Sequence, residues 1–253
     1  MRIIAVSGQF DPFGDFATAG YLRNSQREKD PAVIKVLEHQ IYRTMLPKAL
    51  NFLAGLRRIE YADFLQVHRI LFEDLYPWAG QDRMQTMPDR AVVKGEVRFC
   101  DPLECERAVL HGLELAQDKG LMVSQPGLVM GLFAYGHPFL DGNGRTMLLV
   151  HAELCSRAGM SIDWHKTNKN SYLTALTREI ADPNGNHLDA YLQPFIGPPI
   201  PRAQWLQAAS DLRGLEGGAG PANEYAPRYT DPGVMAQQKE FERLRGYDLD
   251  MGF

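Results

Sequence analysis

Cysteine is scarce in this chain. Its three residues, Cys100, Cys105 and Cys155, are odd in number and fall in neither a metal-ligand nor a disulfide-framework spacing. They read as ordinary reduced thiols, which argues against a stapled secreted scaffold. Long hydrophobic runs are missing too, and no apolar stretch approaches the roughly 20 residues of a membrane span. The opening MRIIAVSGQFDPF has an apolar run too short for a signal peptide, and no small-residue cleavage pattern follows it. An excess of basic charge is also lacking. Lys and Arg number 27 against 31 Asp and Glu, a formal net charge of -4, whereas nucleic-acid binding needs a basic face. These absences predict a cytoplasmic protein that binds neither nucleic acid nor membrane. Export by a route without a cleaved signal would leave no trace in the chain.

What is present is an ordinary globular composition, 45% hydrophobic and 23% charged over 253 residues. That length supports one sizeable core, with or without an appendage. Residues 1–30 are irregular. Asp30 then offers an N-cap and Pro31 a first-turn residue, and Val33, Leu37, Ile41 and Met45 recur at helical spacing. A helix is predicted over about 31–54, with strain expected at Pro47. A second is predicted over about 61–74, with Phe64, Val67, His68 and Leu71 on one face. The stretch from Ala91 to Phe99 alternates, and Lys94-Gly95 suggests the turn of a short hairpin. Helical patterns return at about 102–119, 125–136, 143–158, 168–181 and 186–196. The fold class is therefore mainly α, a helical bundle with a small β-hairpin. Beyond Gly197 the composition turns Pro- and Gly-rich, reading as a linker over 199–253 with a polar helix near 233–247.

The chemistry concentrates in Gly136-His-Pro-Phe-Leu-Asp-Gly-Asn-Gly-Arg145. One helix ends before His137 and another begins near Asn143. The second, through Met147, Leu148, Leu149, Val150 and Leu154, is apolar nearly all round, so it belongs in the middle of the bundle. Its start then presents unpaired N–H groups, and Gly142 and Gly144 let a ligand approach them closely. A glycine-rich entry into a helix start is an anion site, favoured by the helix dipole. Arg145 can form a charge-assisted bond to phosphate. Asp141 can hold Mg²⁺, and it can equally cap the helix. His137 has the intrinsic pKa of a base working near neutrality. These are the parts that transfer of a phosphate-containing group requires. His151, two turns further along, reads as a core residue. Phe72, Tyr76 and Trp78 read as core aromatics, and Tyr172 as packing or a base contact. His39, His68, His111, His165 and His187 form no ligand spacing and are assigned no chemistry.

The string HPFLDGNGR at 137–145 resembles the signature of the Fic (Fic/Doc) family, His-x-Phe-x-(Asp/Glu)-Gly-Asn-Gly-(Lys/Arg)-x-x-Arg. Gly20-Tyr-Leu-Arg-Asn24 is similar to that family's N-terminal strap, and Leu71 to Gly80 to its segment before the flap. Lys94-Gly95 to Phe99 is similar to its flap hairpin, and Asn170 to Leu176 to its base-bordering helix. The resemblance spans roughly residues 11–196. It implies a strap over 1–30, a Fic domain over 31–198 with a flap around 88–100, and a C-terminal appendage. It also implies transfer of AMP from ATP to a Tyr, Thr or Ser hydroxyl of a target protein, with release of pyrophosphate. In that scheme His137 is the base and Asp141 holds Mg²⁺ on the α- and β-phosphates. Gly142, Asn143 and Gly144 form the anion hole, Arg145 contacts the phosphate tail, and Phe139 anchors the loop. Tyr172 borders the base, and the flap (Lys94, Gly95, Val97, Phe99) pins the target by strand addition.

One position departs from the signature. Its second arginine falls at Leu148, and no arginine follows until Arg157. That residue helps hold the β- and γ-phosphates in AMP-transferring members, so its loss weakens ATP binding by more than about 1 kcal/mol on the scale of charged hydrogen bonds. Transfer of another phosphate-containing group (phosphorylation, another nucleotidyl group, phosphocholine) and a non-catalytic binding module therefore stay open. Gly142 and Gly144, kept here, favour nucleotidyl transfer. No clean Ser/Thr-x-x-x-Glu-Gly/Asn inhibitory motif occurs, which leaves a separate antitoxin-like chain open as a partner.

Overall fold

The computed structural model describes residues 23–28, 30–94, 97–210, 228 and 230–246. Most of the strap expected over 1–30, the Gly95 end of the flap turn and the linker glycines 214–220 lie outside the described residues. The long first helix α1 (Pro31–Gly55) is capped by Asp30, whose side chain accepts from the Ala32 N–H, and it continues through Pro47. Next comes α2 (Tyr61–Phe72), with a capping box from Glu60 and Asp63. A short α3 (Arg83–Thr86) follows. The hairpin pairs β1 (Val93–Lys94) with β2 (Val97–Arg98) in antiparallel register, Val93 opposite Arg98 and Lys94 opposite Val97. Lys94 is thus a strand residue, which corrects its expected place in the turn.

The helix expected over 102–119 is divided. After a 3-10 turn at Pro102–Glu104 come α4 (Cys105–Leu115) and a separate α5 (Lys119–Ser124), capped by Asp118. Asp118 accepts from the Gly120 and Leu121 N–H groups, the local bonding that stops one helix and starts another. The central pair is α6 (Pro126–Gly136) and α7 (Asn143–Arg157). A strand β3 (Ser161–Ile162), α8 (Lys169–Ala181), α9 (His187–Leu192) and β4 (Ile196–Gly197) follow. The pattern expected to be helical to 196 ends instead in β4, which pairs with β3.

The core sits around α6, of which almost every residue is buried. Helices α4, α7, α8 and α9 pack against it, while α1 packs on α2 and both contact α7. Among the described residues no helix is long and apolar enough to cross a membrane.

Two details differ from the sequence pattern in ways that matter for the site. The stripe of α1 that enters the core is Ile34, Glu38, Tyr42, Leu46, Ala49 and Leu53, whereas Val33 of the expected stripe is 40% exposed. A carboxylate therefore occupies a core position. In addition, residues past Pro198 pack on the domain. Helix α10 (Trp205–Ser210) buries Trp205 and Ala209, and Arg202 donates to Glu153 Oε1 at 2.6 Å. Further on, α11 (Pro232–Leu244) lies against the flap, where Gln238 donates to the Phe99 carbonyl at 3.5 Å.

Candidate active site

The loop from His137 to Gly142 joins α6 to α7. His137 ends α6 in the left-handed region at φ 38°, and its N–H still donates to the Phe133 carbonyl. Gly142 begins α7 at φ 78°, a conformation that favours glycine. Between them Asn143 clamps the loop. Its Oδ1 accepts the Phe139 N–H at 2.9 Å, and its Nδ2 donates to the Phe139 carbonyl at 2.7 Å. Phe139 is fully buried and stacks on Phe64, the anchoring expected of it. The first-turn N–H groups of α7 find no carbonyl within their own helix and point at the space before it. A Cβ on Gly144 would meet nothing within 4 Å, so a ligand has room there. A Cβ on Gly142 would stand 2.6 Å from Phe72 Cε2 and 3.0 Å from His68 Nε2.

Residues that the sequence did not single out hold this loop. His68 is fully buried, accepts the Gly80 N–H at Nδ1 (2.9 Å), and stacks on Phe139 with ring centroids 3.7 Å apart. Nδ1 being an acceptor, the proton is on Nε2, which donates to the Asp141 carbonyl at 3.0 Å. Burial pushes this imidazole down to about 3, so it stays neutral. Arg83, also fully buried, donates through Nε to the His137 carbonyl at 2.8 Å and through Nη2 to the Cys100 carbonyl at 2.7 Å. Its own N–H donates to the Pro138 carbonyl at 2.7 Å. Arg83 thus ties the flap's end to the histidine segment. The His137 ring itself lies on Phe99, with centroids 3.7 Å apart and planes at 18°.

Two charged side chains of the motif are engaged with α1. Arg145 is buried, ion-paired with Glu38 and set over the Phe72 ring at 4.7 Å. This pairing fastens the start of α7 to α1. Glu38 also accepts from the Tyr76 hydroxyl at 3.2 Å. Asp141 accepts the Gly142 N–H at 2.7 Å with Oδ1, the capping role, and its Oδ2 lies 3.0 Å from Lys35 Nζ. Its side chain is 30% exposed. Among the described residues no three His, Cys, Asp or Glu side chains gather as a metal cage. The donor set fits a Mg²⁺ held by one carboxylate together with phosphate oxygens, not by protein alone.

Tyr172 is buried edge-on against Trp164 at 5.3 Å, as core packing. His151 is buried and bonded to the Pro126 carbonyl at 2.8 Å, the core role expected of it. Leu148 lines a cavity of about 370 Å³ with Leu50, Trp164 and Trp205. Glu38 and Lys35 carried no sequence signal beyond a three-residue spacing on one helix. The signal for His68 was its place on an apolar face, since a buried imidazole needs polar partners.

Fold and loop together define a helical domain organised round one glycine-lined helix start with a histidine beside it. Residues 58–155 match the family model described as Fic/DOC family, so the chain carries a domain of that family. It is 30% identical over 132 residues to a probable protein adenylyltransferase, y4lH, of Sinorhizobium fredii, covering 49% of this chain and 66% of that protein. It is 27% identical over 177 residues to the protein adenylyltransferase VbhT of Bartonella schoenbuchensis, covering 66% of this chain and 35% of that one. The chain thus spans from about a third to two thirds of the length of these relatives. In fold it is similar to the Fic domain of a Bartonella effector protein from Bartonella sp. AR 15-3 (TM-score 0.61, 14% identity, 78% of this chain and 94% of that one). It is also similar to BepC of Bartonella tribocorum, solved with bound AMPPNP (TM-score 0.57, 18% identity, 70% and 92% of the two chains).

Proposed function

We propose that this protein transfers AMP from ATP to a Tyr, Thr or Ser hydroxyl of a target protein, releasing pyrophosphate. The observation that carries the reading is the Asn143–Phe139 clamp, which holds the start of a buried helix open beside His137. The names of the relatives agree with it. In this reading the first-turn N–H groups at Asn143 and Gly144 receive the α-phosphate, and Gly144 leaves it room. His137 takes the proton of the target hydroxyl. The hydroxyl oxygen then forms a bond to the α-phosphorus while the bond to pyrophosphate breaks. Mg²⁺, when bound through Asp141, neutralises phosphate charge and orients the group being transferred. Phe99, stacked on the His137 ring, keeps the imidazole from turning away from the flap. The flap strand β2 lines up the target backbone by strand addition. Arg145 acts beneath the site through its pairing with Glu38.

The test is incubation with ATP, UTP and GTP, each labelled at the α- or the γ-phosphate. Label from the α position of ATP, lost in His137→Ala, is the expected result. Label from the γ position would replace this reading with phosphorylation. No label from any donor, with nucleotide still bound, would replace it with a non-catalytic module. Mass spectrometry of the modified target names the fragment added.

A further inference from the structure

Arg83 and Lys35 reach the segment from Gly136 to Arg145, Arg145 belongs to it, and their surroundings differ. Arg83 is fully buried and bonded to backbone carbonyls on both sides of the site. Arg145 is buried against Glu38, over the ring of Phe72. Moving either guanidinium toward a ligand would abandon carbonyls or a carboxylate in the core, a change that costs several kcal/mol. Lys35 is different. It stands on α1, its side chain is 38% exposed, and its Nζ lies 3.0 Å from Asp141 Oδ2 and 3.3 Å from Glu38 Oε2. An ammonium on a flexible four-carbon stem can turn away from the part-exposed Asp141 carboxylate while Arg145 and Tyr76 still engage the buried Glu38.

Resting on the nucleotide reading above, we propose that Lys35 is the cation that receives the outer phosphates of the bound nucleotide. Without nucleotide it neutralises Asp141. When the α-phosphate occupies the helix start, the phosphates beyond it extend past Asp141, within reach of Nζ. The ammonium then exchanges a carboxylate for a more highly charged phosphate, to which lysine binds as a point charge. The proposal explains how a site with Leu148 directed at an apolar cavity, and Arg145 held in the core, still supplies positive charge where polyphosphate needs it. Lys35 also lies outside residues 58–155, the segment that matches the family model.

The experiment is titration of the full chain with fluorescent ATP, ADP and AMP analogues, in EDTA and again with Mg²⁺, for wild type, Lys35→Met and Lys35→Arg. The expected result is a loss of ATP affinity of about tenfold or more in Lys35→Met, on the scale of charge-assisted bonds. ADP should lose less, AMP less than about twofold, and Lys35→Arg should recover most of the loss. A merely structural lysine would weaken all three nucleotides alike and lower the melting temperature with them. Equal losses across the three, or none, overturn the proposal while leaving the nucleotide reading standing. Failure of the wild-type chain to bind any of the three overturns both.

Discussion

His68 donates its Nε2–H to the carbonyl of Asp141 at 3.0 Å, across 73 residues of sequence. One buried ring thereby joins α2, the turn at Gly80 and the loop before α7. It can do so only when neutral, with Nδ1 free to accept. Burial holds its pKa near 3, below the ordinary 6.5. The unfolded chain therefore takes up the proton first as pH falls. Stability is intact above about pH 6.5 and declines toward pH 3, by up to about 1.4 kcal/mol per pH unit. His151, lowered to about 4 by burial, acts in the same direction. Thermal melts between pH 8 and 5 should show a falling melting temperature, and His68→Asn or His151→Asn should flatten the slope. A slope unchanged in both variants would refute this origin.

The two motif glycines should separate folding from binding. Gly142→Ala forces a Cβ to 2.6 Å from Phe72 in a left-handed backbone, and should lower stability by about 1–3 kcal/mol. Gly144→Ala meets nothing within 4 Å of protein, so its melting temperature should stay within a degree or two while ATP affinity falls. Parallel melting and nucleotide titration of the two variants check this.

The Glu38–Arg145 pair should behave as a unit. Arg145→Leu takes the guanidinium from a buried carboxylate, at a cost of about 3–5 kcal/mol. Glu38→Leu removes the carboxylate from the buried guanidinium at similar cost. The double variant should recover much of the loss, giving a coupling energy of about 1–3 kcal/mol in urea denaturation. Additive losses would contradict the pairing.

Arg83→Lys keeps the charge but cannot make the forked bonds to the His137 and Cys100 carbonyls. Labelling of the target from α-labelled ATP should slow at least tenfold, with ATP affinity nearly unchanged, because the histidine segment rather than the helix start is released. A matched fall in affinity would place Arg83 in nucleotide binding instead.

The motif at 137–145 was legible because its parts are local. A glycine start, an Asx side chain and an apolar helix body state their backbone roles within a few residues, and Gly142, Asn143 and Phe139 take those roles. The bundle was legible from helical periodicity, though the break at Asp118 and strand β4 were not, since capping and strand pairing compete with propensity over only two or three residues. The face of α1 was misread for a different reason. Hydrophobic spacing places Val33 inward and keeps Glu38 out, whereas Glu38 is buried because Arg145, more than a hundred residues later, neutralises it.

What the sequence by itself determined is the helical bundle, the buried helix and the glycine-lined loop with His137 at its edge. Tertiary structure alone decided how each charge is used. Arg145 is held against Glu38, His68 and Arg83 support the loop backbone, and Lys35 pairs with Asp141. The physical reason is that periodicity and turn chemistry act through neighbours in the chain. The role of a charge depends instead on burial and on partners that only folding brings within about 3–4 Å.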